Sequence, residues 1–253
     1  VAQMVRAWAP WGLEPTAVVF EQPPSASRPA ALAAAIRAHG ARALLARLLR
    51  RRPFTPPGVG GHPPHPDAAS FCRAEGIPVV VVGSLSTAEA VEAVRKLAPD
   101  LAIHAGAGIL RPPLLAVPRL GTLNAHMGIL PRYRGMNVAE WACFESSPVG
   151  CSVHFIDAGI DTGDIVCVQS LDVRDVRSIA ELRRRVDAAQ IALLGEVARR
   201  VVMSERLPRR PQDPREGVQY FRMHPELAAI LEAELRSPAP LLASAACRSS
   251  IHV

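Results

Sequence analysis

Apolar positions along this chain alternate between helical and strand-like spacing. Val1, Met4, Val5 and Trp8 share one helical face over residues 1–11, and an uninterrupted apolar run over residues 17–20 predicts a buried strand. The Ala/Leu/Arg-rich residues 27–49 predict a helix broken near Gly40. Residues 53–66, rich in Pro, Gly and His, predict a loop, because proline cannot continue a helix. A short helix over 67–75 and a β-branched strand over 77–82 follow. Ser86 then caps a helix over 87–97, with Glu89 placed to complete a capping box, and a strand follows over 101–104. Further strands are predicted over 122–125, 151–156 and 164–171, ahead of a long amphipathic helix over 178–203. Residues 207–217 are polar and Pro-rich, 218–223 predict an extended segment, 225–235 a helix, and the residues after 237 a fraying end.

Strands that alternate with helices and are apolar on both faces imply an α/β class fold with a doubly wound, mostly parallel sheet. A helix nevertheless precedes every strand, whereas such a fold opens on a strand and its turn. The first strand is therefore expected to be missing, and the sequence has no initiator Met. An edge left open in this way could be covered by a homodimer. The organisation expected is one main domain over residues 1–205 and a short C-terminal extension over 206–253.

Composition narrows the partners. The chain has 253 residues, 49% of them hydrophobic, which suffices for a sizeable core. No run approaches the roughly 20 apolar residues of a membrane helix, and the N-terminus lacks the order of a secretory signal, so a cytoplasmic protein with no membrane partner is expected. Cys72, Cys143, Cys151, Cys167 and Cys247 are scattered and never spaced as C-x-x-C, which reads as reduced, mostly buried thiols rather than disulfides or a zinc site. The net charge of +6 rests almost wholly on arginine, since Lys96 is the only lysine. The arginines cluster at residues 42–52, 183–185, 199–200 and 209–210, as on solvated helix faces and helix C-termini, and no nucleic-acid partner is expected.

The chemistry concentrates over residues 122–166. Asn124 and His126 stand two apart at the end of one predicted strand and so face one side, and Asp161 follows the end of another. Ligands of open α/β sheets bind beyond the carboxyl ends of strands, so one crevice could gather all three. An amide N–H that stabilises an oxyanion, an imidazole that moves a proton and a carboxylate that sets its charge together suit acyl transfer without a Ser or Cys nucleophile. The turn over residues 130–135 would fold over that crevice and aim Arg132 and Arg134 at an anionic ligand. Asp161-Thr162-Gly163 occurs once, which excludes the paired carboxylates of an aspartic protease. His62, His65 and Asp67 lack helical support as metal ligands, and no metal is expected.

The order L-N-A-H-M-G-I-L-P-R-Y-R-G, followed by V-G-C-S-V-H-F-I-D-A-G-I-D-T-G-D-I-V, resembles the folate-dependent formyltransferase family, which includes the glycinamide ribonucleotide, methionyl-tRNA and sugar N-formyltransferases. The resemblance is specific over about residues 100–175 and looser over about 71–203. It implies a Rossmann-like formyltransferase fold and an N-formyltransferase that uses 10-formyltetrahydrofolate as cosubstrate. By resemblance, Asn124 bonds the formyl oxygen, His126 assists proton transfer and Asp161 orients that histidine. Cofactor contact is implied for His104, Ala105, Gly106, Ile109 and Leu110 in one loop and for Ile156, Asp157, Ala158 and Gly159 in another.

The chain departs from the family pattern where the acceptor should enter. Met127-Gly128-Ile129 replaces the commoner Pro-Ser-Leu, and Met136 and Asn137 follow the arginine turn. Met127, Gly128, Arg132, Arg134, Met136 and Asn137 are therefore the expected substrate-binding residues. The sequence shows neither a Gly/Ser-rich phosphate loop nor a β-rich C-terminal domain, so the expected acceptor is a small-molecule amine: an amino sugar nucleotide, an amino acid derivative or a natural-product intermediate. Hydrolysis of 10-formyltetrahydrofolate and a noncatalytic folate-binding role are the alternatives.

Overall fold

The computed structural model describes residues 1–22, 68–237 and 251–252. In chain order, α1 (Ala2–Trp8) leads through a short 3-10 turn to β1 (Val18–Glu21), and α2 (Ala68–Ala74) leads to β2 (Val79–Val82). Then come α3 (Ala88–Lys96), β3 (Ala102–Ile103), α4 (Pro112–Leu115), β4 (Thr122–His126), β5 (Tyr133–Gly135) and α5 (Val138–Phe144). The remainder comprises β6 (Val149–Phe155), β7 (Ile165–Leu171), α6 (Ile179–Val202), β8 (Val218–Tyr220), α7 (Pro225–Arg236) and β9 (Ile251–His252). The helix expected over 27–49, the loop over 53–66 and the residues His62, His65 and Asp67 lie outside the described residues, as do residues 238–250.

Three strand pairs are parallel (β1 with β2, β3 with β4, β5 with β8), as the β-α-β order implies. The main sheet, in the order β3-β4-β6-β7-β9, is mixed: β4 with β6, β6 with β7 and β7 with β9 run antiparallel. The link from β6 to β7 is too short for the crossover that a parallel pair requires, and these two strands form a hairpin. Its turn carries Asp161, so the change of strand direction is what brings that residue to the site.

The sequence places most elements within a few residues, with one change at a cap. Thr87, not Ser86, caps α3: its Oγ1 accepts the Ala90 N–H at 3.2 Å. One residue of offset suffices because both hydroxyls stand ahead of the same apolar face. Ser178 caps α6 as its position suggests, accepting from Glu181 N at 3.1 Å.

The main core joins Leu123, Val153 and Val166 of the sheet to Leu182, Val186 and Leu194 of α6. Gln190 of α6 donates to the Ala125 carbonyl at 2.6 Å and so fixes the helix against the strand that bears the site. The segment after residue 205 joins this body: β8 pairs with β5, and Leu231 and Leu235 of α7 lie in the same core. Every residue of β6 is buried, so its polar members must find partners inside. Ser152 does so by donating to the Gly128 carbonyl at 2.8 Å and accepting from Leu130 N at 3.0 Å, which pins the chain leaving β4.

Candidate active site

Three strands and one turn converge on a small polar cluster. His104 directly follows β3, Asn124 and His126 lie on β4, His154 lies on β6, and Asp161 sits in the β6–β7 connection with φ of 55°. Asn124 and His154 are direct cross-strand partners, so their side chains meet on one face. The amide oxygen of Asn124 stands 3.2 Å from His104 Nδ1, and its amide nitrogen 3.1 Å from His154 Nε2.

Asp161 ties the cluster together. Its Oδ1 lies 3.5 Å from His126 Nδ1 and 3.6 Å from His154 Nε2, and its Oδ2 accepts the Gly135 N–H at 2.9 Å. The turn beneath is braced by Asp157, whose Oδ1 accepts from Gly159 N at 3.0 Å and from the Thr162 hydroxyl at 2.7 Å. Gly163 closes it: a Cβ there would fall 2.0 Å from the Phe155 carbonyl oxygen. Gln212 donates to the backbone oxygens of Asp161 and Gly163 at 3.0 and 2.6 Å.

His126 is 5% exposed, and its Nε2–H donates to the Tyr133 carbonyl at 2.8 Å. Burial lowers its pKa from the ordinary 6.5, against the pull of Asp161. The neutral ring then turns an Nδ1 lone pair toward the carboxylate, in keeping with a separation longer than a charge-assisted hydrogen bond. Burial opposes ionisation of Asp161, but the positive charge that His126 gains in acid, the nearby His154 ring and the Gly135 amide outweigh it and hold the carboxyl at about 2.

These groups border a cavity of about 150 Å³. Of the expected cofactor contacts, His104, Ile109, Leu110, Ile156, Asp157 and Gly159 line it, while Ala105, Gly106 and Ala158 occupy the same two loops without forming its walls. Asn124 and Asp161 also face it, whereas His126 lies behind them. Ile109 is 63% exposed and Ile160 38% exposed, so the mouth of the cavity carries two uncovered apolar side chains.

The expected substrate-binding residues are placed beside this cluster, largely in contact with protein groups. Arg134 is buried and donates to the Gly217 carbonyl at 2.9 Å, and exposed Arg132 lies over the Tyr133 ring and donates to Ser147 at 3.3 Å. Asn137 donates to Glu140 and accepts from Met223 N, Met136 N donates to the Tyr220 carbonyl, Met127 packs on the main core, and Gly128 abuts His126. His154 had no role in the sequence reading. A histidine within a mostly apolar strand was its signal.

Cys143 and Cys151 are buried thiols pushed up to about 12, chiefly by burial, so neither supplies a nucleophile. Among the described residues no group of three or more His, Cys, Asp or Glu side chains could hold a metal ion, and no helix is long and apolar enough to cross a membrane.

The gathering of Asn124, His126 and Asp161 is matched at the level of the whole domain. Residues 66–198, more than half of the chain, match the family model described as Formyl transferase, and the chain belongs to that family. It is 34% identical over 168 residues to the methionyl-tRNA formyltransferase of Ruminiclostridium cellulolyticum, covering 64% of this chain and 52% of that protein. It is 32% identical over 174 residues to the enzyme of the same name from Acetivibrio thermocellus, covering 68% and 55%. The chain thus spans about half the length of the curated relatives it matches. Glycinamide ribonucleotide transformylase 1 from Symbiobacterium toebii shares the fold, with a TM-score of 0.50 at 24% identity over 57% of this chain and 74% of that one.

Proposed function

We propose that this chain transfers a formyl group from 10-formyltetrahydrofolate to a primary amine. The observation that carries the reading is the convergence of Asn124, His126 and Asp161, from a strand and a turn far apart in sequence, beside one cavity. The cavity suits a folate: isoleucines at its mouth offer apolar cover to a flat ring, and the loop backbone over residues 156–159 offers polar edges. The cosubstrate supplies an activated formyl carbon.

The protein's own groups perform the rest. The Asn124 amide donates to the formyl oxygen as charge develops there in the transition state, which is where a fixed donor accelerates reaction. A neutral amine attacks the formyl carbon, the new C–N bond forms as the bond to the folate nitrogen breaks, and the amine proton must pass to that nitrogen. The Asp161 carboxylate, which faces the cavity, can relay it to and from His126 behind, which burial keeps neutral.

We take the acceptor to be a small-molecule amine, because Met127-Gly128-Ile129 departs from the family pattern at the entry side. A charged tRNA is the second reading, favoured by the names of the relatives at 34% and 32% identity. Calorimetric titration with 5-formyltetrahydrofolate tests the folate site. Saturable binding to a folded sample is expected, and its absence overturns the reading. An acceptor screen that includes methionyl-tRNA, amino sugar nucleotides and water then separates the acceptors.

A further inference from the structure

The Asn124 amide is held between two imidazole rings whose outer nitrogens are already committed. His104 Nε2 lies 3.0 Å from the Gly108 carbonyl and His154 Nδ1 lies 2.8 Å from the Phe155 carbonyl. A carbonyl only accepts, so both outer nitrogens must carry hydrogen. A neutral imidazole has one N–H, and in that state both inner nitrogens, His104 Nδ1 and His154 Nε2, are bare acceptors. Asn124 can satisfy only one of them with its NH2, because the other end of its amide is an oxygen that also accepts. Both rings neutral leaves two acceptors facing each other; both rings cationic leaves two donors facing each other. The contacts at 3.2 and 3.1 Å are both hydrogen bonds only when one ring of the two carries an extra proton.

We propose that His104 and His154 are positioning residues that together hold one extra proton, and that this proton locks the Asn124 amide in place. The ring that carries it decides which way the amide faces: the cationic ring donates to the oxygen and the neutral ring accepts from the nitrogen. The charged groups around the relay are known on each side. His154 is faced by the Asp161 carboxylate and, edge-on at 6.2 Å between centroids, by the His126 ring, and Asp157 stands on the cavity wall shared with His104. Asp161 is therefore the counter-ion of the relay as well as the partner of His126. The consequence for turnover rests on the formyl-transfer reading; the proton count does not.

Protein labelled with 15N at histidine, observed by imidazole NMR without folate and assigned with His104→Asn, counts the protons directly. At pH 7, three of the four ring nitrogens of His104 and His154 are expected to be protonated; two or four overturns the proposal, whatever the activity. In turnover, His104→Phe removes one partner and is expected to lower kcat by about tenfold, the cost of a partly buried polar group left unpaired. His104→Asn offers an amide that donates or accepts, so it should recover activity relative to His104→Phe. Activity no higher in His104→Asn than in His104→Phe overturns the proposal. Three protonated nitrogens in a protein that transfers no formyl group would leave the relay standing and refute the functional reading alone.

Discussion

Asp161 and Gly135 are joined by a hydrogen bond from the Gly135 N–H to Asp161 Oδ2 at 2.9 Å, which ties the β6–β7 turn to the end of β5. The other carboxylate oxygen faces His126, so one side chain both shapes the site and sets its electrostatics. Asp161→Asn keeps the shape and removes the charge. It is expected to lower kcat by about 10²- to 10⁴-fold, the span of a lost acid-base function, with folate binding retained. Steady-state kinetics beside calorimetry would show whether the two separate.

Asp161 also makes stability depend on acid. Its carboxyl is held at about 2 in the folded chain against an ordinary 3.8. A depressed carboxyl stabilises the fold fully above the unfolded value and stops doing so as pH falls through the folded one. The window is thus about pH 4 down to 2, and the contribution about 2 kcal/mol at ~1.4 kcal/mol per unit. Urea melts over that range should show wild type losing its advantage over Asp161→Asn; curves that stay parallel would refute the assignment.

Asn124→Ala removes the donor aimed at the formyl oxygen. A fall in kcat of about 10²- to 10³-fold is expected, because the interaction belongs to the transition state. If KM for folate rose and kcat stayed, Asn124 would be a binding group only.

Gly128→Ala probes the packing behind His126. A Cβ there would lie 2.8 Å from the Tyr133 carbonyl oxygen, 2.8 Å from Val138 Cγ2 and 3.0 Å from His126 Nε2. The backbone and ring must move apart, at a cost of about 1–3 kcal/mol, and the His126 bond to Tyr133 weakens. Thermal unfolding should show the loss, and a variant as stable and active as wild type would show that the ring is less confined than its contacts imply.

The sequence shows most of this architecture because its apolar periods are clean: the strands over 122–126 and 165–171 and the helix Ile179–Val202 lie close to where spacing alone puts them. The antiparallel half of the sheet was less legible, since a buried strand reads the same whichever way its neighbour runs. Asn124, His126 and Asp161 were visible as a motif. The relay through His104 and His154 was not, because it depends on which residues face each other across β4 and β6 and on which carbonyls meet the outer ring nitrogens. The surroundings of Arg134 were hidden for the same reason: only the fold brings Gly217 beside it.

Transfer of a formyl group from folate to an amine is best tested by following deformylation of 10-formyltetrahydrofolate with and without candidate amines. Deformylation that requires an amine, yields the N-formyl product in equal amount and falls by about 10²- to 10³-fold in Asn124→Ala is the result expected. Folate that binds yet is not deformylated with any acceptor, or is deformylated equally well by water alone, would contradict it.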